Sequence, residues 1–411
     1  MGRLLTASAC AAAVLLLATA CQGDDADGGG DASTLTFLVA ETAERPAAYW
    51  QTAADRVGAA ADVKVELTVI PLGADPTGHV RDLIAAGTPL PDVMAGVSPN
   101  GLGTPELLYA WQDAELTRFR LPYSGSVAGK VYRLPATGEA VPLVYYNKKL
   151  LPEPPGTYAE LLKTAGDLRD DGVRPFAVGG VDAATLLWSA TVTTDVYREA
   201  PTWMQHRRLG HVHFCDENFQ ASAEKLAGLG DYISLTDGGG DAAFLAGEAA
   251  MYPAGSRFAV AATATPPDFE IGVFAWPADD GGAVVPAYHG GGLSVSAAAK
   301  DLEAARRFAL AFSVDQGNLD HAVTAEGLYP AVTDYVPPQS VSPAFQLGYD
   351  LYIAAATTGG LLPAVGSEDG DDGVPSAARE EWQTSAARLL GGLTTPKDAC
   401  KALDEVYAPT G

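Results

Sequence analysis

Basic residues are scarce in this chain. Lys and Arg total 26 against 51 Asp and Glu, a formal net charge of −25. So acidic a protein is repelled by nucleic acid and by an anionic membrane surface. A neutral or cationic small ligand stays compatible, because a local cleft can differ from the mean. Sulfur is scarce as well, with four Cys and four Met. The sequence holds no G-x-S-x-G elbow, no phosphate-binding loop and no H-E-x-x-H helix, which removes the enzyme classes that those motifs carry. Paired carboxylates for glycoside hydrolysis leave no such trace, since the two partners meet only in the fold.

Long apolar runs are confined to Leu4–Ala20, which is short and alanine-rich for a membrane span. It follows Met1-Gly2-Arg3 and ends Leu17-Ala18-Thr19-Ala20-Cys21. That ending looks like a bacterial lipobox, with residues 1–20 a signal peptide and Cys21 the diacylated first residue of the mature chain. A plain secretory peptide is the alternative. Residues 21–34, with four Asp and a Gly28-Gly29-Gly30 run, then read as a flexible tether. Removing Cys10 with the signal and lipidating Cys21 leaves Cys215 and Cys400. In an oxidising compartment these two are expected to form one disulfide, with two isolated thiols as the other reading.

Beyond the tether the composition is that of a globular protein, with 47% hydrophobic and 19% charged residues. Its 411 residues suit two or three domains. Leu35–Ala40 and Val63–Val69 read as strands, Pro46–Ala60 and the region of Val80–Ala86 as helices, and Asp92–Ala95 as a third strand. Alternation at this pace means βαβ units, and such sheets bind ligands at the carboxyl ends of their strands. Glu41 and Thr42 follow the first strand, and Ser98 and Asn100 the third. Each also fits a plain turn-forming role. His211, His213 and Cys215 alternate, so on a strand they would share a face as a zinc or copper site, but no fourth ligand is near and no metal is expected. Asp369, Asp371 and Glu380 are spaced loosely like a calcium loop that lacks its glycine and third Asp.

From Gly129 to Leu151 runs GKVYRLPATGEAVPLVYYNKKLL. Its Gly-Lys-x-Tyr-x-Leu-Pro start, apolar strand and Tyr-Tyr-Asn-Lys-Lys-Leu-Leu end resemble the first crossover of the extracellular solute-binding proteins, family 1, the maltose-binding-protein-like subunits of ABC importers. Thr157 with Glu160 opens a capping box before a helix, and Pro175-Phe176-Ala177 follows. Phe244-Leu245-Ala246-Gly247-Glu248-Ala249-Ala250-Met251, Tyr288-His289-Gly290-Gly291-Gly292 and Gly327-Leu328-Tyr329-Pro330-Ala331 repeat family landmarks in the family's order. At Arg257-Phe258 the sequence departs from the Trp that members often carry there.

The resemblance implies an α/β fold of two lobes (periplasmic-binding-protein type II), each a mainly parallel sheet flanked by helices. Lobe 1 would be residues 35–143 plus 286–336 and lobe 2 residues 144–285 plus 337–411. Three crossings would join them, near Val141–Asn147, Val284–Tyr288 and Asp334–Ser342. It also implies a non-enzymatic, cofactor-free and monomeric sugar-binding lipoprotein on the outer face of the cytoplasmic membrane. Its partners would be a sugar or oligosaccharide, an ABC permease and, through the lipid anchor alone, the membrane. An exported carbohydrate-processing enzyme and a carrier of a non-sugar solute are the alternatives. The site expected from the residues and the resemblance together is Glu41, Thr42, Asn100, Tyr145, Trp188, Arg257, Tyr288, Gly291 and Gly292. Aromatic faces and planar polar groups are what sugar rings and hydroxyls require.

Overall fold

The structure is a computed structural model. It describes residues 33–178, 180–233, 240–366, 370–371, 373–374 and 376–407. The signal peptide, Cys21, nearly all of the tether and Asp369 lie outside the described residues.

Twelve strands are present among the described residues: β1 (Ser33–Ala40), β2 (Val63–Ile70), β3 (Val93–Ala95), β4 (Thr137–Ala140), β5 (Leu143–Asn147), β6 (Arg174–Phe176), β7 (Ala249–Ala254), β8 (Ile271–Ala275), β9 (Val285–His289), β10 (Leu293–Val295), β11 (Tyr329–Pro330) and β12 (Leu361–Pro363). They form three four-stranded sheets, ordered β10-β3-β1-β2, β11-β4-β9-β12 and β6-β7-β5-β8. In the first, β1 pairs parallel with β2 and β3, as the βαβ reading requires, and the returning β10 runs antiparallel to β3. The third sheet is mixed, with β6 and β7 parallel but β5 antiparallel to both of its neighbours. Between these sheets in the chain's path lies the second, which pairs β4 with β9, β9 with β12 and β4 with β11.

Local chemistry sets the helices. Asp75 accepts hydrogen bonds from Thr77 N and Gly78 N ahead of helix Pro76–Ala85. Thr157 and Glu160 form the expected capping box at helix Tyr158–Asp170, each satisfying an otherwise orphaned backbone amide. Asp301 caps helix Leu302–Ser313, whose Ala305, Phe308, Ala309 and Phe312 are buried at the expected spacing.

Period-2 alternation divides the cores. Leu35, Phe37 and Val39 of β1 enter one cluster and Leu38 a second on the opposite face. Phe37 is held edge-to-face by Trp50, Phe308 and Phe312, with ring centroids 5.4–6.0 Å apart. Along β5, Leu143 and Tyr145 face the layer containing Phe244, Phe258 and Phe345, while Val144 and Tyr146 face the bundle containing Trp188, Trp276 and Trp382.

Candidate functional site

A cleft of about 530 Å³ opens where strand ends of the first sheet meet the second sheet. Its wall is built from the loop after β1, the loop after β2, the end of β3, strand β4, the turn after β7 and the stretch from Tyr288 to Gly291. Ligands of α/β sheets sit outside the carboxyl ends of strands, where side chains from several loops converge.

Five charged side chains line the cleft: Glu41, Glu139 and Glu326 against Arg45 and Arg257. Glu41 Oε1 accepts a hydrogen bond from Ala47 N at 2.9 Å, at the first turn of helix Ala47–Ala61. Thr42 is exposed and its hydroxyl accepts from Arg45 N at 3.0 Å. That turn holds Arg45 beside Glu326, 2.6 Å apart and both largely buried, with the guanidinium also 5.5 Å from the Trp50 ring. Arg257 Nε donates to Glu139 Oε2 at 3.1 Å. Burial pushes the Glu139 carboxyl up from its usual range and Arg257 opposes the shift, so water is already partly excluded from this wall.

Thr137 and Glu139 are two residues apart on β4 and therefore share a face. The Thr137 side chain is only 4% exposed, and its hydroxyl has no hydrogen-bond partner. Gly290 N and Gly291 N both donate to the Thr137 carbonyl, at 3.1 and 3.2 Å. A methyl group on Gly291 would lie 1.8 Å from Thr137 Oγ1. Glycine is required there for the backbone to come so close.

The expected site residues divide. Glu41, Thr42, Arg257, Tyr288 and Gly291 converge on the cleft. Gly292 is buried behind it, where a Cβ would meet the Leu134 carbonyl at 1.3 Å, so it shapes the wall from within. Trp188 is not on the cleft. It is fully buried, stacked on Trp382 at 4.7 Å with Nε1 donating to Ser222 Oγ at 3.2 Å. The helix that carries it, Gly180–Val192, packs between helices Glu217–Gly228 and Ser376–Leu390, and this apolar setting takes the ring. Tyr145 is likewise fully buried, edge-on to Phe258 at 4.7 Å, because its position on β5 faces the packed layer. Asn100 is exposed in a short 3-10 turn off the cleft, where its carbonyl accepts from Gly103 N. Ser98 serves the same turn by accepting from Gly101 N.

Cys215 and Cys400 are both free thiols, contrary to the expected bridge. Burial pushes the Cys400 thiol up to about 12. Cys215 is exposed, with its amide bonded to Asp404, one helical turn beyond Cys400. The carboxylate therefore fixes the Cys215 loop without a covalent tie. Residues 211–215 are loop, not the strand that would align His211, His213 and Cys215. Among the described residues no His, Cys, Asp or Glu cluster has a metal-binding arrangement. Asp371 accepts hydrogen bonds from Ala128 N and Gly129 N at 3.0 and 2.9 Å, so it braces a turn.

Arg45, Thr137, Glu139 and Glu326 were not singled out by sequence reasoning. Thr137-Gly138-Glu139 carried a usable signal, two polar residues on one face of a strand with a glycine between them. Arg45 and Glu326 are 281 positions apart and carried none.

Strand ends and loops converging on one cleft, with sheets flanked by helices, define the class as a two-lobed solute-binding protein. Residues 40–313 match the bacterial extracellular solute-binding proteins, and the chain belongs to that family. Solved structures with the same fold include RafE of Streptococcus pneumoniae in its apo form (18% identity, TM-score 0.70, covering 93% of this chain and 98% of that one). The bacterial solute receptor AcbH, described as having an exclusive preference for β-D-galactopyranose, is similar at 16% identity and a TM-score of 0.71, over 91% of this chain and 98% of that one. A chitin oligosaccharide binding protein is similar at 21% identity and 0.67, over 92% and 98%. No curated protein matches the chain significantly. No described helix is long and apolar enough to cross a membrane.

Proposed function

We propose that the protein is the substrate-binding subunit of an ABC importer, lipid-anchored at Cys21 on the outer face of the cytoplasmic membrane, which takes up a sugar or oligosaccharide in the cleft and hands it to the permease. The observation that carries the ligand class is the cleft's inventory: the partly buried ring of Tyr288, the buried hydroxyl of Thr137 and the carboxylate of Glu41, all among the lining residues. A ring face for C–H surface beside oxygen acceptors for hydroxyls is the chemistry that sugars require. The neighbours described as binding raffinose, acarbose or chitin oligosaccharides support the same class. Binding closes such a protein only if the ligand touches both lobes, because a ligand shifts an equilibrium by its differential affinity alone.

A thermal-shift panel of sugars, amino acids, peptides and metals tests the ligand class. A carbohydrate is expected to raise the melting temperature. A rise with an amino acid, peptide or metal and with no carbohydrate would overturn the reading. Small-angle scattering with the saturating sugar is expected to show compaction. Oligosaccharides incubated with the protein are expected to be recovered unchanged, and intact mass of the membrane-extracted chain is expected to place the acyl groups on residue 21.

A further inference from the structure

We infer that Glu41 makes the cleft selective by charge, admitting uncharged and amino-bearing glycans and rejecting anionic ones such as uronates. This rests on the glycan reading above and goes further by naming the charge class and the residue that sets it. Both guanidiniums on the wall are already engaged, Arg45 by Glu326 and Arg257 by Glu139. The lining carries three carboxylates against these two guanidiniums, and each guanidinium already faces one of the three, so an anionic ligand would enter a wall of net negative charge.

Glu41 differs from the other two glutamates. One oxygen accepts from Ala47 N, and no cation pairs with it among the described residues. An ionised carboxylate only accepts hydrogen bonds, so what it asks of a ligand is a donor, either a hydroxyl or an ammonium. Thr137 supplies a second and independent sign of an occupant, a hydroxyl within the wall that no protein group satisfies. Buried hydroxyls in folded proteins are nearly always paired, and this one belongs to a residue that lines the cleft, packed against Gly291. A uronate brought to the same place would set its carboxylate against Glu41 in a lining whose carboxylates outnumber its guanidiniums, and like-charge contact inside a cleft penalises the wrong ligand heavily.

Calorimetry on the full mature chain tests this with matched trios: glucose, glucosamine and glucuronate, and the corresponding galactose series. For whichever parent hexose binds, the amino sugar is expected to bind at least as tightly and the uronate at least tenfold more weakly. Glu41→Gln keeps an amide oxygen for Ala47 N, so its melting temperature is expected to stay near that of the wild type. The same variant is expected to narrow the uronate-to-parent gap at least tenfold. Because the readout is a ratio on one protein, a general loss of affinity does not imitate it. If the uronate binds as well as its parent, or if Glu41→Gln leaves the ratio unchanged, the glycan reading stands and the role of Glu41 is overturned. If no glycan of any charge binds, in these series or in the sugar panel above, both fall together.

Discussion

Acidification should loosen the protein through His289. This residue lies on β9 in the second sheet, 1% exposed, with Nε2 2.9 Å from the Tyr352 hydroxyl and Nδ1 without a partner. Burial, helped by the charge of Arg120, pushes its pKa down to about 4. The unfolded chain has the ordinary value of about 6.5. Between those values the unfolded state binds a proton that the folded state refuses, so stability falls as pH drops from 6.5 toward 4 and levels off below. At about 1.36 kcal/mol per pH unit the loss is about 3 kcal/mol, a large part of the 5–15 kcal/mol typical of a domain. Carboxylates titrate in the same range, so the comparison has to be differential. Urea unfolding followed by tryptophan fluorescence at pH 7.5 and pH 4 should show a larger loss for the wild type than for His289→Gln, by about 3 kcal/mol. Gln keeps a polar group facing Tyr352 and removes the titration. Equal losses in the two proteins would mean that the imidazole is not kept neutral by its surroundings.

Trp188→Ala should lower stability by about 3–5 kcal/mol, the cost of emptying a buried indole site, while ligand affinity at a temperature where the variant is folded stays within twofold. A selective loss of affinity would put the ring back at the ligand. Glu326→Ala strands the largely buried Arg45 and should cost about 3 kcal/mol in denaturant unfolding; a change below 0.5 kcal/mol would show that water reaches the guanidinium. Thiol titration of the unreduced mature protein should count one reactive thiol when folded, from exposed Cys215, and two when unfolded, since Cys400 is buried. No reactive thiol in the unfolded chain would mean that the pair is bridged.

Most of the architecture was readable because it is written locally. The capping residues Thr157 and Asp301, the 3.6-residue rhythm of Ala305, Phe308 and Phe312, and the alternation of β1 each report on neighbours within a few positions. The site was readable only in part. Glu41 and Gly291 follow strand ends and Tyr288 closes a strand just before a glycine run, and those positions advertise a cleft. An indole such as Trp188 looks the same in a sequence whether it faces a ligand or Trp382, because the face it occupies depends on which helices pack around it. The Arg45–Glu326 and Arg257–Glu139 pairs join segments more than 100 residues apart, and nothing local marks such partners.

The second sheet also governs when this chain can finish folding. Its pieces come from residues 137–140, 285–289, 329–330 and 361–363, so β4 must wait for over 200 further residues before its sheet is complete. At ribosomal speeds of about 5–20 residues per second that wait is on the order of ten seconds or more. Until residue 289 is made, β4 lacks the β9 edge to which it pairs over Gly138–Ala140, and contacts so distant in sequence close slowly even once both strands exist. The junction that frames the cleft is therefore a late part of the molecule to set, ahead only of the helices made after residue 363. A chain intercepted before residue 285 carries helices and a first βαβ unit, while its cleft still lacks Tyr288, Gly290, Gly291 and Glu326.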